Sequence, residues 1–221
     1  MRAGTTAFAV LGLSAVASAP AFASNRTPVP TFPLDAETPL TALQDVDVIE
    51  HIGDKIPSGL AFRDPEGHEV EIDGMLGNKP LLVTLGYYRC PMLCNLVLDG
   101  LVKTMKASGL VPGKDFQPVS ISIDPKEDAK LAVATRTRVH AAVGQGGDAA
   151  TWPFLMGDAV ASRLLADAVG FKYAYDAKSG QFAHDAVTFV LTPEGRISRY
   201  LYGVDVLPRD FRLALVEAAG G

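Results

Sequence analysis

The sequence predicts an α/β fold, a mixed central β-sheet with helices on both faces, entered through an N-terminal β-hairpin. Three observations predict it. Leu81-Leu82-Val83-Thr84-Leu85-Gly86 is a continuous apolar, β-favouring run of the length of a strand buried on both faces. From there to Val169, strand signals alternate with helical apolar stripes, as parallel strands require. After Phe171, strands dominate again until a closing helix.

Residues 1–23 read as a signal peptide. Met1-Arg2, a small apolar run from Ala7 to Val16 and Ala21-Phe22-Ala23 before Ser24 follow the order of a secretory signal and its small-residue cleavage site. The run is shorter than the roughly 20 residues a spanning helix needs. An uncleaved membrane anchor is therefore the second reading, and an exported, periplasmic protein the first. Residues 24–57 carry Pro28, Pro30, Pro33, Pro39 and Pro57 and read as a linker that wraps the domain or spaces it from a membrane.

The single domain is expected over residues 58–221. Leu60 to Arg63 turns at Asp64-Pro65-Glu66-Gly67 and returns from His68 to Ile72 as a hairpin. After the buried run, Pro91 suits a first helical position, and Leu93, Val97, Leu101 and Met105 make a stripe that Gly109 stops. Pro118 to Ile123 is a second strand. Asp124-Pro125-Lys126-Glu127 after it has the form of an N-cap, a proline and a capping-box acid, opening a helix to about Val143. A short strand follows over Trp152 to Met156, and Asp158 caps a helix through Val169. Phe171 to Tyr175 and Gln181 to Ala183 flank a turn, Ala186 to Leu191 and Ile197 to Tyr202 form a hairpin around Thr192 to Gly195, and a last helix starts near Pro208. This order suits a thioredoxin-like, three-layer fold.

Charge narrows the partners. The formal balance is −5, with no run of Lys or Arg, so the electrostatic footprint for nucleic acid or an anionic membrane surface is missing.

The chain has two cysteines, Cys90 and Cys94, four positions apart. As a staple they would close a loop worth only about 2 kcal/mol of chain entropy, so their closeness points to chemistry. Cys90 is expected at the N-cap of the helix, where unpaired amides and the helix dipole favour a thiolate, with Arg89 adding positive charge. Cβ atoms one turn apart stand about 5–6 Å from each other, wider than a relaxed disulfide wants, so a metal fits the pair better. Among His51, His68, His140 and His184, position selects His184, at the entry to the strand Ala186 to Leu191 beside the cysteine-bearing helix start. His68 and His140 are assigned ordinary surface roles and His51 lies in the linker. Two thiolates and an imidazole are a soft set that suits Cu(I), while Zn(II) would need a fourth donor. Met92 reads as an apolar neighbour of the site. Asp185 is placed to orient the imidazole only if its side chain turns back towards the ring.

Tyr87 to Cys94, then Ser122-Ile123-Asp124-Pro125, then His184 followed by Phe189 to Gly195, resemble the successive motifs of the Sco/SenC proteins over about Ile56 to Leu215. The resemblance implies a thioredoxin fold and copper, as Cu(I) and also Cu(II), bound by Cys90, Cys94 and His184. It also implies a role in assembling the binuclear copper centre of cytochrome c oxidase. The copper-bearing oxidase subunit is then the expected partner, with a thioredoxin-like reductant or another copper chaperone upstream. Many members carry an acid where Met92 stands and a proline where Asn95 stands, so affinity or potential is expected to differ here. The rival function is a thiol-disulfide oxidoreductase that uses Cys90 and Cys94 as its redox pair and keeps the acceptor's cysteines reduced. Against a general oxidoreductase, Ala186 occupies the approximate place where thioredoxins set a cis-proline.

Overall fold

In a computed structural model the structure describes residue 1 and residues 46–144 and 151–220. The expected signal peptide and most of the proline-rich linker lie outside the described residues. The last part of that linker lies along the domain: β1 (Asp47–Val48) pairs with β7 (Phe171–Lys172), and Ile56 is buried.

The main sheet has seven strands: β2 (Ala61–Arg63), β3 (Glu69–Glu71), β4 (Leu81–Gly86), β5 (Gln117–Ser122), β6 (Phe154–Met156), β10 (Val187–Leu191) and β11 (Ile197–Tyr202). Their spatial order is β11-β10-β4-β5-β6-β2-β3. The centre, β4-β5-β6, is parallel, and all flanking pairs are antiparallel. β8 (Ala174–Asp176) and β9 (Gln181–Ala183) form a separate two-stranded hairpin just before His184.

Strand alternation divides the core in two. Leu81, Val83 and Leu85 of β4 join one apolar cluster with Phe171, Phe189 and Leu165 of α3 (Ala159–Ala168). Leu82, between them, faces the other cluster, built on Leu101 and Met105 of α1 (Leu93–Ser108), Val139 of α2 (Ala129–Val143) and Phe211 and Leu215 of α4 (Pro208–Gly220). Helices thus cover both faces of a mixed sheet, the expected three-layer arrangement.

Two helix starts differ from expectation. α1 begins at Leu93 with Met92 as its cap, so Cys90 and Pro91 precede the helix and only Cys94 lies inside it. α2 begins at Ala129, where the Asp128 side chain accepts from the amides of Lys130 and Leu131. Asp124 caps no helix, and Glu127 is turned to another use. By contrast Asp158 caps α3 as expected, accepting from Val160 and Ala161.

Candidate metal centre

The site forms where the end of β4, the start of α1 and the loop from β9 to β10 meet. β10 pairs directly with β4, Thr188 opposite Thr84, so the residue four places before Thr188 falls beside the residues that follow Gly86. That residue is His184. The Cys94 sulfur packs against Gly86, where an added Cβ would sit 3.1 Å from it, and the Tyr87 amide points at the same sulfur at 3.5 Å.

Cys94 Sγ and His184 Nε2 are 3.4 Å apart. The other ring nitrogen, Nδ1, lies 2.9 Å from the backbone carbonyl of Asp185. A carbonyl oxygen only accepts, so Nδ1 carries the proton and Nε2 keeps a lone pair aimed at the sulfur. Asp185 therefore orients the imidazole through its main chain, not through the carboxylate. Tyr87 meets the ring edge-on and Phe171 at a tilt, with centroids 6.0 and 5.6 Å away.

Both cysteines are free thiols. Cys90 is buried and its sulfur accepts from the Cys94 amide at 3.4 Å, so although it precedes the helix it meets one of the unpaired N–H groups of the first turn. Its pKa is lowered to about 3, chiefly because Cys94 donates to it. Burial opposes the shift, and the amides of Cys94 and Met92 add to it. Cys94 moves the other way, well above the ordinary thiol value, because it donates to Cys90 and is desolvated. The two sulfurs therefore titrate as one unit, with Cys90 the side shifted towards the thiolate. The Tyr87 phenol, buried beside this charge, is raised above its usual value, first by burial and then by Cys90.

Arg89 is not the source of that negative sulfur. Its guanidinium turns away to Asp124, at 3.2 Å, and Glu127, at 3.7 Å, and donates to the Lys126 carbonyl. Glu127 is the functional residue that sequence reasoning missed. Its buried carboxylate accepts from the Tyr88 amide at 2.7 Å, the Arg89 amide at 2.6 Å and the Ser122 hydroxyl at 2.6 Å. An acid three residues after an aspartate is also the signature of a capping box, and nothing local separates the two uses. Asn95 holds the other side of Cys90: its Nδ2 donates to the Cys90 carbonyl, and its Oδ1 accepts from Arg138.

The other histidines have structural partners. His51 Nδ1 pairs with the Ala168 carbonyl, and His68 with Asp64 in the hairpin turn. His140, expected at the surface, is half-buried, with Nε2 at the Trp152 carbonyl and its ring edge-on to Phe154. Met92 is 64% exposed, an apolar side chain at the rim.

Among the described residues no three His, Cys, Asp or Glu side chains stand in the spacing of a closed metal cage. The donor chemistry nonetheless fits a soft ion. Bonds of about 2.3 Å to sulfur and about 2.0–2.1 Å to nitrogen, meeting at roughly 100–120°, separate the donors by about 3.4–3.8 Å. The observed Cys94–His184 spacing lies at the short end of that span.

The chain was also compared with known proteins by family and by fold. The SCO1/SenC family model matches residues 55–211. Among solved structures the chain is similar to a provisionally named electron transfer protein of Aquifex aeolicus VF5, at 28% identity and TM-score 0.68, over 76% of this chain and 95% of that one. It shares its fold with Arabidopsis thaliana ScoI solved with copper bound, at 20% identity and TM-score 0.56, over 76% and 98%. BsSco, described as having a disulfide switch and belonging to the Sco family of cytochrome c oxidase assembly proteins, matches at 16% identity and TM-score 0.59, over 78% and 98%. No curated protein matches. With the motif of two cysteines and a distant histidine brought together on this sheet, and with the family model spanning most of the described domain, the chain belongs to the SCO1/SenC family.

Proposed function

We propose that this protein is an exported copper chaperone that binds its cargo through Cys90, Cys94 and His184 and passes it to the copper-bearing subunit of cytochrome c oxidase. The observation that carries the reading is the His184 Nε2 lone pair directed at Cys94 Sγ from 3.4 Å. Two sulfurs and one imidazole favour Cu(I), with Cu(II) as a second state. Cys90 enters as a thiolate, and Cys94 gives up the shared proton when Cu(I) binds. His184 is half-exposed, so an acceptor's ligand can displace it first and draw the ion away by exchange. The copper-bound Arabidopsis relative and the oxidase-assembly family of BsSco support the cargo and the acceptor.

In this reading residues 1–23 direct export to the periplasm, 24–57 link, and 58–221 form the copper domain. No helix among the described residues is long and apolar enough to cross a membrane. Anaerobic Cu(I) titration of the reduced mature protein tests the proposal. One tightly held Cu(I) per chain is expected, lost in Cys90→Ala and in Cys94→Ala. No copper retained by the wild type, or an equally tight Zn(II) complex, would sink it.

One observation favours a second reading, a thiol-disulfide oxidoreductase: Cys90 is held as a thiolate with Cys94 beside it as the resolving thiol. Thiol-disulfide turnover without copper retention would select it.

A further inference from the structure

The loop that carries Cys90 is gripped on both sides by groups that take no part in the donor set. Ahead of Cys90, the buried Glu127 carboxylate accepts from two successive amides, Tyr88 and Arg89, and is itself anchored by Ser122. Its side chain is 0% exposed and its nearest cation is Arg89, at 3.7 Å. At Cys90 itself, the carbonyl accepts from Asn95 Nδ2 at 3.2 Å, while Arg138 from α2 holds Asn95 Oδ1 at 2.8 Å. Cys94 lies within α1 with its sulfur against Gly86, so its main chain is held by the helix. Main-chain adjustment between the two cysteines therefore falls more on the Cys90 loop than on α1.

Closing a disulfide is more demanding than closing a metal site. It requires the sulfurs to meet at about 2.05 Å with the Cβ atoms near 3.5–4.5 Å, whereas an ion with bonds of about 2.3 Å to each sulfur leaves them about 3.5–4 Å apart. The tighter closure asks more of the loop that the grips hold.

We infer that Glu127 and Asn95 are positioning residues that bias the Cys90–Cys94 pair towards the open dithiol and against the disulfide, keeping the pair ready for its ligand. The inference rests on the reading that these two sulfurs carry the chemistry, and it adds how their redox state is set. In the step concerned, the Cys90 thiolate and the Cys94 thiol lose two electrons and one proton, and glutathione disulfide takes up the two electrons with that proton and one from water to become two glutathione thiols. One S–S bond breaks and one forms.

The test is a glutathione redox titration of the metal-free protein, which reads the dithiol-disulfide equilibrium constant without copper. Glu127→Gln keeps the shape but has one acceptor oxygen, so its amide NH2 faces one of the two backbone amides donor to donor. It should shift the constant at least tenfold towards the disulfide, a midpoint about 30 mV more negative. Asn95→Ala, neutral and helix-favouring, should shift it about threefold in the same direction. If Glu127→Gln fails to fold by circular dichroism, Asn95→Ala decides alone. A constant within twofold of wild type in the folded variants, or an Asn95→Ala shift towards the dithiol, overturns the inference. Cu(I) titration of the wild type run alongside separates the two failures: absent copper binding defeats the chaperone reading and leaves the redox result standing.

Discussion

Cys94 and His184, 90 positions apart in the chain, meet sulfur to ring nitrogen at 3.4 Å because β10 hydrogen-bonds directly to β4. The contact is long-range and half-exposed, so its energy serves ligand binding more than folding. His184→Ala should leave thermal stability within a few degrees of wild type while weakening Cu(I) binding at least tenfold, with the ratio still one per chain. Competition against a chromophoric Cu(I) chelator measures this, and unchanged affinity would remove His184 from the donor set.

The two thiols should react differently with pH. Cys90 is lowered to about 3, so above pH 5 it is already a thiolate and its alkylation by iodoacetamide should be nearly flat from pH 5 to pH 8. An ordinary thiol, with a pKa near 8.5, would speed up about tenfold per unit over the same interval. Burial lowers the absolute rate of Cys90, so the slope is the quantity to read, by mass spectrometry of the modified site. Cys94, shifted upward, should remain the slower of the pair throughout. A tenfold-per-unit slope at Cys90 would contradict the assignment of the charge.

Gly100 lies inside α1, where replacing glycine by alanine ordinarily gains up to about 1 kcal/mol. Here a methyl group would overlap the Val204 carbonyl, a backbone atom that cannot turn aside. Gly100→Ala should therefore lose stability, by about 1–3 kcal/mol as for an overpacked core, seen as a lower urea midpoint. A raised midpoint would mean that the loop after β11 moves freely away from α1.

Asp128 and not Asp124 caps α2. Asp128→Ala should cost about 1 kcal/mol of stability with Cu(I) affinity unchanged, because its exposed side chain bonds to the first-turn amides of its own helix. Asp124→Ala should instead free Arg89 from its closest carboxylate and disturb the loop before Cys90. Urea unfolding and copper competition on the same two variants check the contrast, and equal effects on both measurements would refute the placement.

The element order was legible because local patterns carry it. The run Leu81 to Gly86, the stripe Val97-Leu101-Met105, the Gly109 stop at φ 73 and the Asp158 cap each depend on neighbours a few residues away. The capping errors have the same origin. Asp124-Pro125-Lys126-Glu127 satisfies the local rule for a helix start, but the amides of Tyr88 and Arg89 claim the Glu127 carboxylate from 39 and 38 positions away. Proximity in sequence assigns the Arg89 charge to Cys90, whereas Asp124 draws it off in space.

By itself the sequence determined which residues could do chemistry: two thiols four apart at a strand-to-helix junction, and one histidine at the mouth of a strand. Those follow from residue type, spacing and periodicity, which are properties of the chain as written. Only the tertiary structure decided that the imidazole presents Nε2 and not Nδ1, and that Glu127 and Asn95 grip the Cys90 loop. Each depends on hydrogen bonds whose donor and acceptor come from different elements, and such pairings exist only once the sheet has set β10 beside β4 and β5 has carried Glu127 back to Tyr88.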